Sequence, residues 1–277
     1  AGATTVSVCL PARDEEATVG DIVAAVVADL VERHPLVDEV LVVDDGSTDA
    51  TAEVARRAGA TVVAADQVLP EVGPGTGKGE ALWKSLAASS GELVVWCDAD
   101  LTDFDTGFVT GLLGPLLTDP TVAFTKATYE RAEVDGVGGG RVTELAARPL
   151  IALVAPELSA FDQPLAGEYA GRRSVLERLP FEQGYGVELG LLLDLLATVG
   201  LEGMAQVDLG VRRHRNRPLH ELSPQALAVM RAVLRRVGAT GTVDDPVLRV
   251  PGHDHVVVDD RTRPPLVDVA GYRRRAS

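Results

Sequence analysis

Asp98-Ala99-Asp100 follows directly on the apolar run Leu93-Val94-Val95-Trp96-Cys97. Acids at a strand end lie where open α/β sheets bind ligands. They make poor core residues, because an unpaired buried carboxylate is costly. They suit a hard divalent cation that brings diphosphate oxygens with it. The chemistry expected is metal-assisted transfer from a nucleotide-linked donor. A second acidic cluster, Asp44-Asp45-Gly46-Ser47-Thr48-Asp49, follows Val40-Leu41-Val42-Val43. Turn and N-cap roles account for its later residues. They do not account for two adjacent acids at a strand tip, where a carboxylate would accept hydrogen bonds from a ribose or a base N–H.

Positive groups must then be found for an anionic substrate. Gly73-Pro74-Gly75-Thr76-Gly77-Lys78-Gly79 resembles a nucleotide loop, but Glu80 stands where a P-loop needs Ser or Thr, which excludes that class of ATPase. Glycines still let backbone amides approach a phosphate, and Lys78 adds a charge. Arg141 and Thr143 follow the glycine stretch 136–140 and would grip a phosphate through a guanidinium and a hydroxyl, or simply start a helix. His214 lies in the basic run Arg212-Arg213-His214-Arg215-Asn216-Arg217, where a neutral imidazole would ligate a divalent ion. Glu188 sits near the start of an apolar helix, suited to sugar hydroxyls. His253 and His255 lie in a polar tail and read as solvated.

These residues need elements to bring them together. Residues 4–10 read as a first strand stopped by Pro11, and 16–33 as a helix with Val19, Ile22, Val23, Val26, Val27 and Leu30 at helical spacing. Strands at 40–43, 61–65 and 92–97 alternate with helices at 49–58 and from Glu80 onward. Further helices are expected at 106–118 (with a kink or break at Pro115), 143–154, 186–199 and 224–237, and strands at 122–129 and 206–213. The alternation predicts an α/β fold, a parallel sheet covered on both faces. Right-handed crossovers put the C-terminal strand edges on one side, collecting 11–16, 44–49 and 98–100 into one site. Residues 1–130 read as a nucleotide-sugar half, 131–240 as an acceptor-binding and metal-completing half of the same domain, and 241–277 as a partly ordered tail.

Net charge is −15, which argues against a nucleic-acid partner. Lysine occurs only at 78, 84 and 126, so arginine carries most of the positive charge. No apolar run reaches the roughly 18 residues of a membrane helix, and the first residues lack a basic-then-apolar leader, so cytoplasmic residence is expected. Cys9 and Cys97 fall in strand-like runs and read as buried, reduced thiols.

The motifs Pro11-Ala12-Arg13-Asp14-Glu15-Glu16, Asp44–Asp49 and Asp98-Ala99-Asp100 resemble the GT-A glycosyltransferases, whose Rossmann-like sheet matches the fold expected. With Gly77-Lys78-Gly79, Gly140-Arg141-Val142-Thr143, Pro164–Tyr169, Gly184–Glu188 and Arg212–Asn216, the chain is similar to the glucosyl-3-phosphoglycerate synthases of actinobacteria, retaining enzymes, over roughly residues 4–237. That resemblance implies UDP-glucose as donor, 3-phosphoglycerate as acceptor, Mg²⁺ or Mn²⁺ as cofactor and a homodimer. It implies that Pro11, Ala12, Arg13, Glu15 and Asp45 hold the uridine, and that Lys78, Asp98, Ala99 and Asp100 meet ribose and diphosphate. Leu165, Tyr185 and Glu188 would line the glucose, with Glu188 and Asp100 the catalytic pair. Gly140, Arg141, Thr143, Arg212 and Asn216 would bind phosphoglycerate, and Asp100 with His214 the metal. Arg13-Asp14 departs from the family, which has an apolar residue and Asn there. The alternatives are GDP-mannose or GDP-glucose as donor, glycerate as acceptor, a polyprenyl-phosphate glycosyltransferase, and an inactive binding module of the same fold.

Overall fold

The computed structural model describes residues 4–131, 140–212, 219–239, 247–249, 256–258, 261–270 and 272. Its centre is a 7-stranded sheet in the order β3-β2-β1-β4-β6-β5-β8. The strands are β1 (Val6–Ala12), β2 (Glu39–Asp44), β3 (Thr61–Ala64), β4 (Leu93–Trp96), β5 (Phe124–Arg131), β6 (Tyr169–Arg172) and β8 (Met204–Arg212). β1, β2, β3 and β4 pair in parallel, as do β5 and β8, whereas β6 runs antiparallel to both neighbours. The sheet is therefore mostly parallel, as expected.

Alternate residues of each strand feed two cores. Cys9, Leu41, Val43, Val94 and Trp96 face one side, with α3 (Lys78–Ala88) and α7 (Val187–Val199). Val8, Leu10, Val42, Val95 and Cys97 face the other, with α1 (Val19–Val26) and α4 (Gly107–Thr118). Burial on both faces is why these strands read as near-continuous apolar runs. Cys9 and Cys97 are buried and form no disulfide.

Several boundaries differ from the sequence reading. Pro11 does not stop β1, which continues to Ala12. Cys9 points its carbonyl toward β4, accepting from Cys97 N, and Pro11 faces the same way, beyond the last β4 pair, Cys9↔Trp96. Its missing N–H therefore breaks no ladder bond. Pro115 likewise lies inside α4 without ending it. α3 starts at Lys78 rather than Glu80, which puts the lysine on the first turn. α2 (Thr51–Arg57) begins just past the acidic turn. The helix from Arg141 starts with a π-helical stretch, Thr143–Ala147, before α5 (Arg148–Val154). α8 (Leu219–Arg236) starts earlier than expected, with Pro224 inside it.

Strand β6 was not expected. Being antiparallel, it places its N-terminal loop, 163–168, on the same sheet edge as the C-terminal end of β4. Of the segment beyond 240, β11 (Thr262–Arg263) pairs with β7 (Phe181–Glu182) and Leu266 is fully buried. No helix among the described residues is long and apolar enough to cross a membrane.

Candidate active site

One cavity of about 610 Å³ opens over the C-terminal edges of β1, β2 and β4. Pro11, Ala12, Arg13, Glu15, Asp45, Lys78, Asp98, Ala99, Asp100, Leu165, Tyr185 and Glu188 all line it, as do Gly140, Arg141 and Thr143. The residues proposed for the donor, and three of those proposed for the acceptor, are thus brought together. Arg212 is the last residue of β8, in register with Arg131. His214 and Asn216 lie outside the described residues, as do His253 and His255.

The two acidic turns are locked to each other. Asp14 takes a left-handed backbone, φ 56°, which Asn and Asp tolerate best. Its carboxylate accepts from Thr48 N at 2.7 Å, and its own amide donates to Ser47 Oγ at 3.0 Å. Glu15 N donates to Thr51 Oγ1, and Asp49 Oδ1 accepts from Thr51 N at the start of α2. Asp44 accepts from Ser47 N within the turn. Asp44 and Asp49 are therefore architectural, and Asp45 alone of this cluster reaches the cavity. Asp45 Oδ2 accepts from Gly77 N at 2.8 Å and lies 3.9 Å from the Arg13 guanidinium. Burial pushes its carboxyl above the ordinary range, against the pull of Gly77 N–H and Arg13. Gly77, at φ 101°, sits where a side chain would be strained.

Lys78 is the hinge of the site. Its Nζ lies 2.6 Å from Asp98 Oδ1 and 2.9 Å from Glu188 Oε1. Burial opposes its charge, but Asp98 and Glu188 overcome that and hold its pKa well above the ordinary lysine value. Thr18 Oγ1 donates to Ala99 O at 2.6 Å and pins the acidic turn after β4 to α1. From the opposite side the 163–168 loop closes on Asp98, so tightly that a Cβ at Gly167 would overlap its carboxylate.

Glu15 completes a negative patch. Burial, then the charges of Asp100 and, more weakly, Asp98, raise its carboxyl to about 7. Carboxylates that repel one another in a half-buried cleft fit a divalent cation. Among the described residues no three His, Cys, Asp or Glu side chains converge on one point. An all-protein cage is thus absent there, and the donor set suits a hard ion that takes its remaining ligands from a diphosphate and from water.

Gly140, Arg141 and Thr143 form the mouth of the helix that runs to Val154, with Glu144 N donating to Gly140 O. Thr143 is buried within the first turns rather than capping them. Amides at a helix start together with a guanidinium favour an anion.

Residues 7–151 match the model of glycosyl transferase family 2. The chain belongs to that family. Within it, glucosyl-3-phosphoglycerate synthase of Petrotoga mobilis is 42% identical, over 98% of this chain and 89% of its own. The enzyme of that name from Mycolicibacterium smegmatis is 52% identical, over 84% and 78%. The crystal structure of the Mycobacterium tuberculosis enzyme with Mn²⁺, UDP-glucose and phosphoglyceric acid superposes with a TM-score of 0.87 at 46% identity, covering 95% of this chain and 90% of that one. Mannosyl-3-phosphoglycerate synthase from Rubrobacter xylanophilus gives a TM-score of 0.87 at 42% identity, covering 96% and 90%. The family assignment accounts for the GT-A fold.

Sequence reasoning missed some of the lining. Leu222, Gln225 and Val229 of α8 reach the cavity, as does Tyr129 of β5. On an amphipathic helix such residues read as core, because spacing does not say whether a face meets protein or ligand. Lys126 was noted only as a rare lysine. It is fully buried, donating to Ala166 O at 2.8 Å and lying 4.4 Å over the Tyr169 ring.

Proposed function

We propose that the protein is a metal-dependent hexosyltransferase that moves glucose from UDP-glucose to 3-phosphoglycerate, giving glucosyl-3-phosphoglycerate with retention of configuration. The observation that carries this is the convergence of the acidic β4 edge, Lys78, Glu188 and the Arg141 helix mouth on one cavity. Enzymes 42 and 52% identical are named glucosyl-3-phosphoglycerate synthase, and the Mycobacterium tuberculosis enzyme, 46% identical, is seen with UDP-glucose, phosphoglyceric acid and Mn²⁺ bound.

Pro11, Ala12, Arg13, Glu15 and Asp45 are assigned to the uridine, and Lys78, Asp98, Ala99 and Asp100 to ribose and diphosphate. Asp100 and His214 would hold Mg²⁺ or Mn²⁺, which when bound offsets charge building on the departing diphosphate. Leu165, Tyr185 and Glu188 orient the glucose. Gly140, Arg141, Thr143, Arg212 and Asn216 hold the acceptor's phosphate and carboxylate, in a protein that is otherwise acidic.

The acceptor's one free hydroxyl, at C2, bonds to the sugar C1 as the bond from C1 to the diphosphate oxygen breaks. Glu188 is engaged by Lys78 at 2.9 Å, a weak position for a nucleophile. Same-face attack therefore fits better, with the hydroxyl proton passing to the leaving phosphate oxygen. The test is UDP release from UDP-glucose, with and without Mg²⁺ and 3-phosphoglycerate.

A second reading, GDP-mannose as donor, is favoured by the similarity to the Rubrobacter xylanophilus mannosyl enzyme. A homodimer is proposed from the family, and light scattering in solution checks it. Cytoplasmic residence accords with two buried cysteines that form no disulfide.

A further inference from the structure

One side chain from beyond residue 240 reaches the donor loop. Arg263, in β11, is only 7% exposed. Its Nε and Nη2 donate to Glu80 Oε2 and Oε1 at 2.6 and 2.8 Å, a two-pronged grip on one carboxylate. Nη1 donates to Val72 O at 2.8 Å and Nη2 to Gly73 O at 2.9 Å. The guanidinium lies 5.5 Å from the Trp83 ring, and Trp83 Nε1 donates to the carbonyl of the next residue, Pro264, at 2.9 Å. Gln183 closes the other side, its Nε2 donating to Glu80 and its carbonyl accepting from Glu80 N.

Every group on the receiving end, Gln183 and Trp83 aside, lies in 72–80, the stretch that carries Gly77 and Lys78. Gly73, Gly75 and Gly77 bring no side chains, and glycine has the most backbone freedom to lose. Between the turn at Pro70–Val72 and the start of α3, the buried guanidinium adds four hydrogen bonds that hold the stretch. Downstream lie Gly77 N, 2.8 Å from Asp45, and Lys78 Nζ, 2.6 Å from Asp98.

We propose that Arg263 is a positioning residue for the sugar-nucleotide donor: by gripping Glu80 and the carbonyls of Val72 and Gly73, it holds the Gly77 amide against Asp45, which meets the uridine, and the Lys78 amine where the diphosphate meets it. The proposal rests on the donor reading above. Lysine cannot replace arginine in this role, since one ammonium cannot serve a carboxylate in two prongs and two separate carbonyls in a plane.

The test compares Arg263→Lys and Arg263→Met with the parent protein. The readouts are KM for UDP-glucose, KM for 3-phosphoglycerate, UDP affinity by calorimetry, and Tm. The expected result for Arg263→Lys is a rise of about tenfold or more in donor KM and in the UDP dissociation constant, with acceptor KM within about twofold. Arg263→Met should go at least as far, and should it fail to fold, Arg263→Lys, which keeps charge and length, carries the test. A lowered Tm with unchanged donor KM and UDP affinity would show a purely structural role and overturn the proposal. A parent protein that binds no uridine nucleotide overturns the donor reading and this proposal with it, whereas normal UDP binding by parent and Arg263→Lys alike overturns this proposal alone.

Discussion

Lys78 joins Glu188 at 2.9 Å while also touching Asp98 at 2.6 Å, so one ammonium ties the acidic edge of β4 to the first turn of α7. Under the proposed function this pairing suits Glu188 to orienting the sugar rather than attacking it. Glu188→Gln keeps the shape and removes the charge. It should lower kcat by about 100-fold or more, as losing one preorganised electrostatic contact does elsewhere. Intact-mass measurement of the parent protein with UDP-glucose should show no glucosyl adduct, and a trapped adduct on Glu188 would establish the covalent route instead.

Asp100→Ala and His214→Ala should each abolish metal-stimulated turnover, a loss of about 100-fold or more at saturating Mg²⁺. The measurement is UDP release across a Mg²⁺ titration. A variant that keeps the parent's Mg²⁺ response would remove that residue from the metal's ligands.

Arg141→Ala removes a charge-assisted contact at the helix mouth. Such contacts contribute about 1.5–3 kcal/mol, so acceptor KM should rise about 10- to 100-fold with donor KM little changed. An unchanged acceptor KM would take Arg141 out of the acceptor site.

Lys126 supplies a pH dependence. Burial lowers its pKa from an ordinary 10.5 to about 7, with Lys78 adding to the fall and Glu188, Glu168 and Asp98 opposing it. The folded chain therefore gives up this proton near 7, whereas the unfolded chain keeps it to about 10.5. Between those values the unfolded state binds more protons, so rising pH favours folding. The Tm of the parent relative to Lys126→Met should be higher at pH ~8.5 than at pH ~6. An equal difference at both would mean that the amine is not desolvated in the folded protein.

Much of the donor side was legible because acids directly after apolar runs have few structural reasons to be there. Asp45, Asp98 and Asp100 stood out for that reason, and the alternation of strands and helices placed them on one edge. Asp44 and Asp49 resembled Asp45 in sequence, and only the turn's hydrogen bonds separate them. Arg263 and Glu80 were not legible as a pair, because no local rule joins residues that far apart in sequence. β6 was missed because Tyr169–Arg172 is too short to show a period. Pro11 misled because a proline ends a strand only where its N–H is needed.

Glucose transfer from UDP-glucose to a phosphorylated glycerate, with the anomeric configuration kept, is checked by incubating the protein with Mg²⁺ and UDP-glucose, GDP-glucose or GDP-mannose, against 3-phosphoglycerate or glycerate, following nucleotide release and the anomeric proton of the product. The expected outcome is UDP release only in the presence of 3-phosphoglycerate, with an α-linked product. Faster release of GDP from GDP-mannose, equal use of glycerate, or a β-linked product would contradict it.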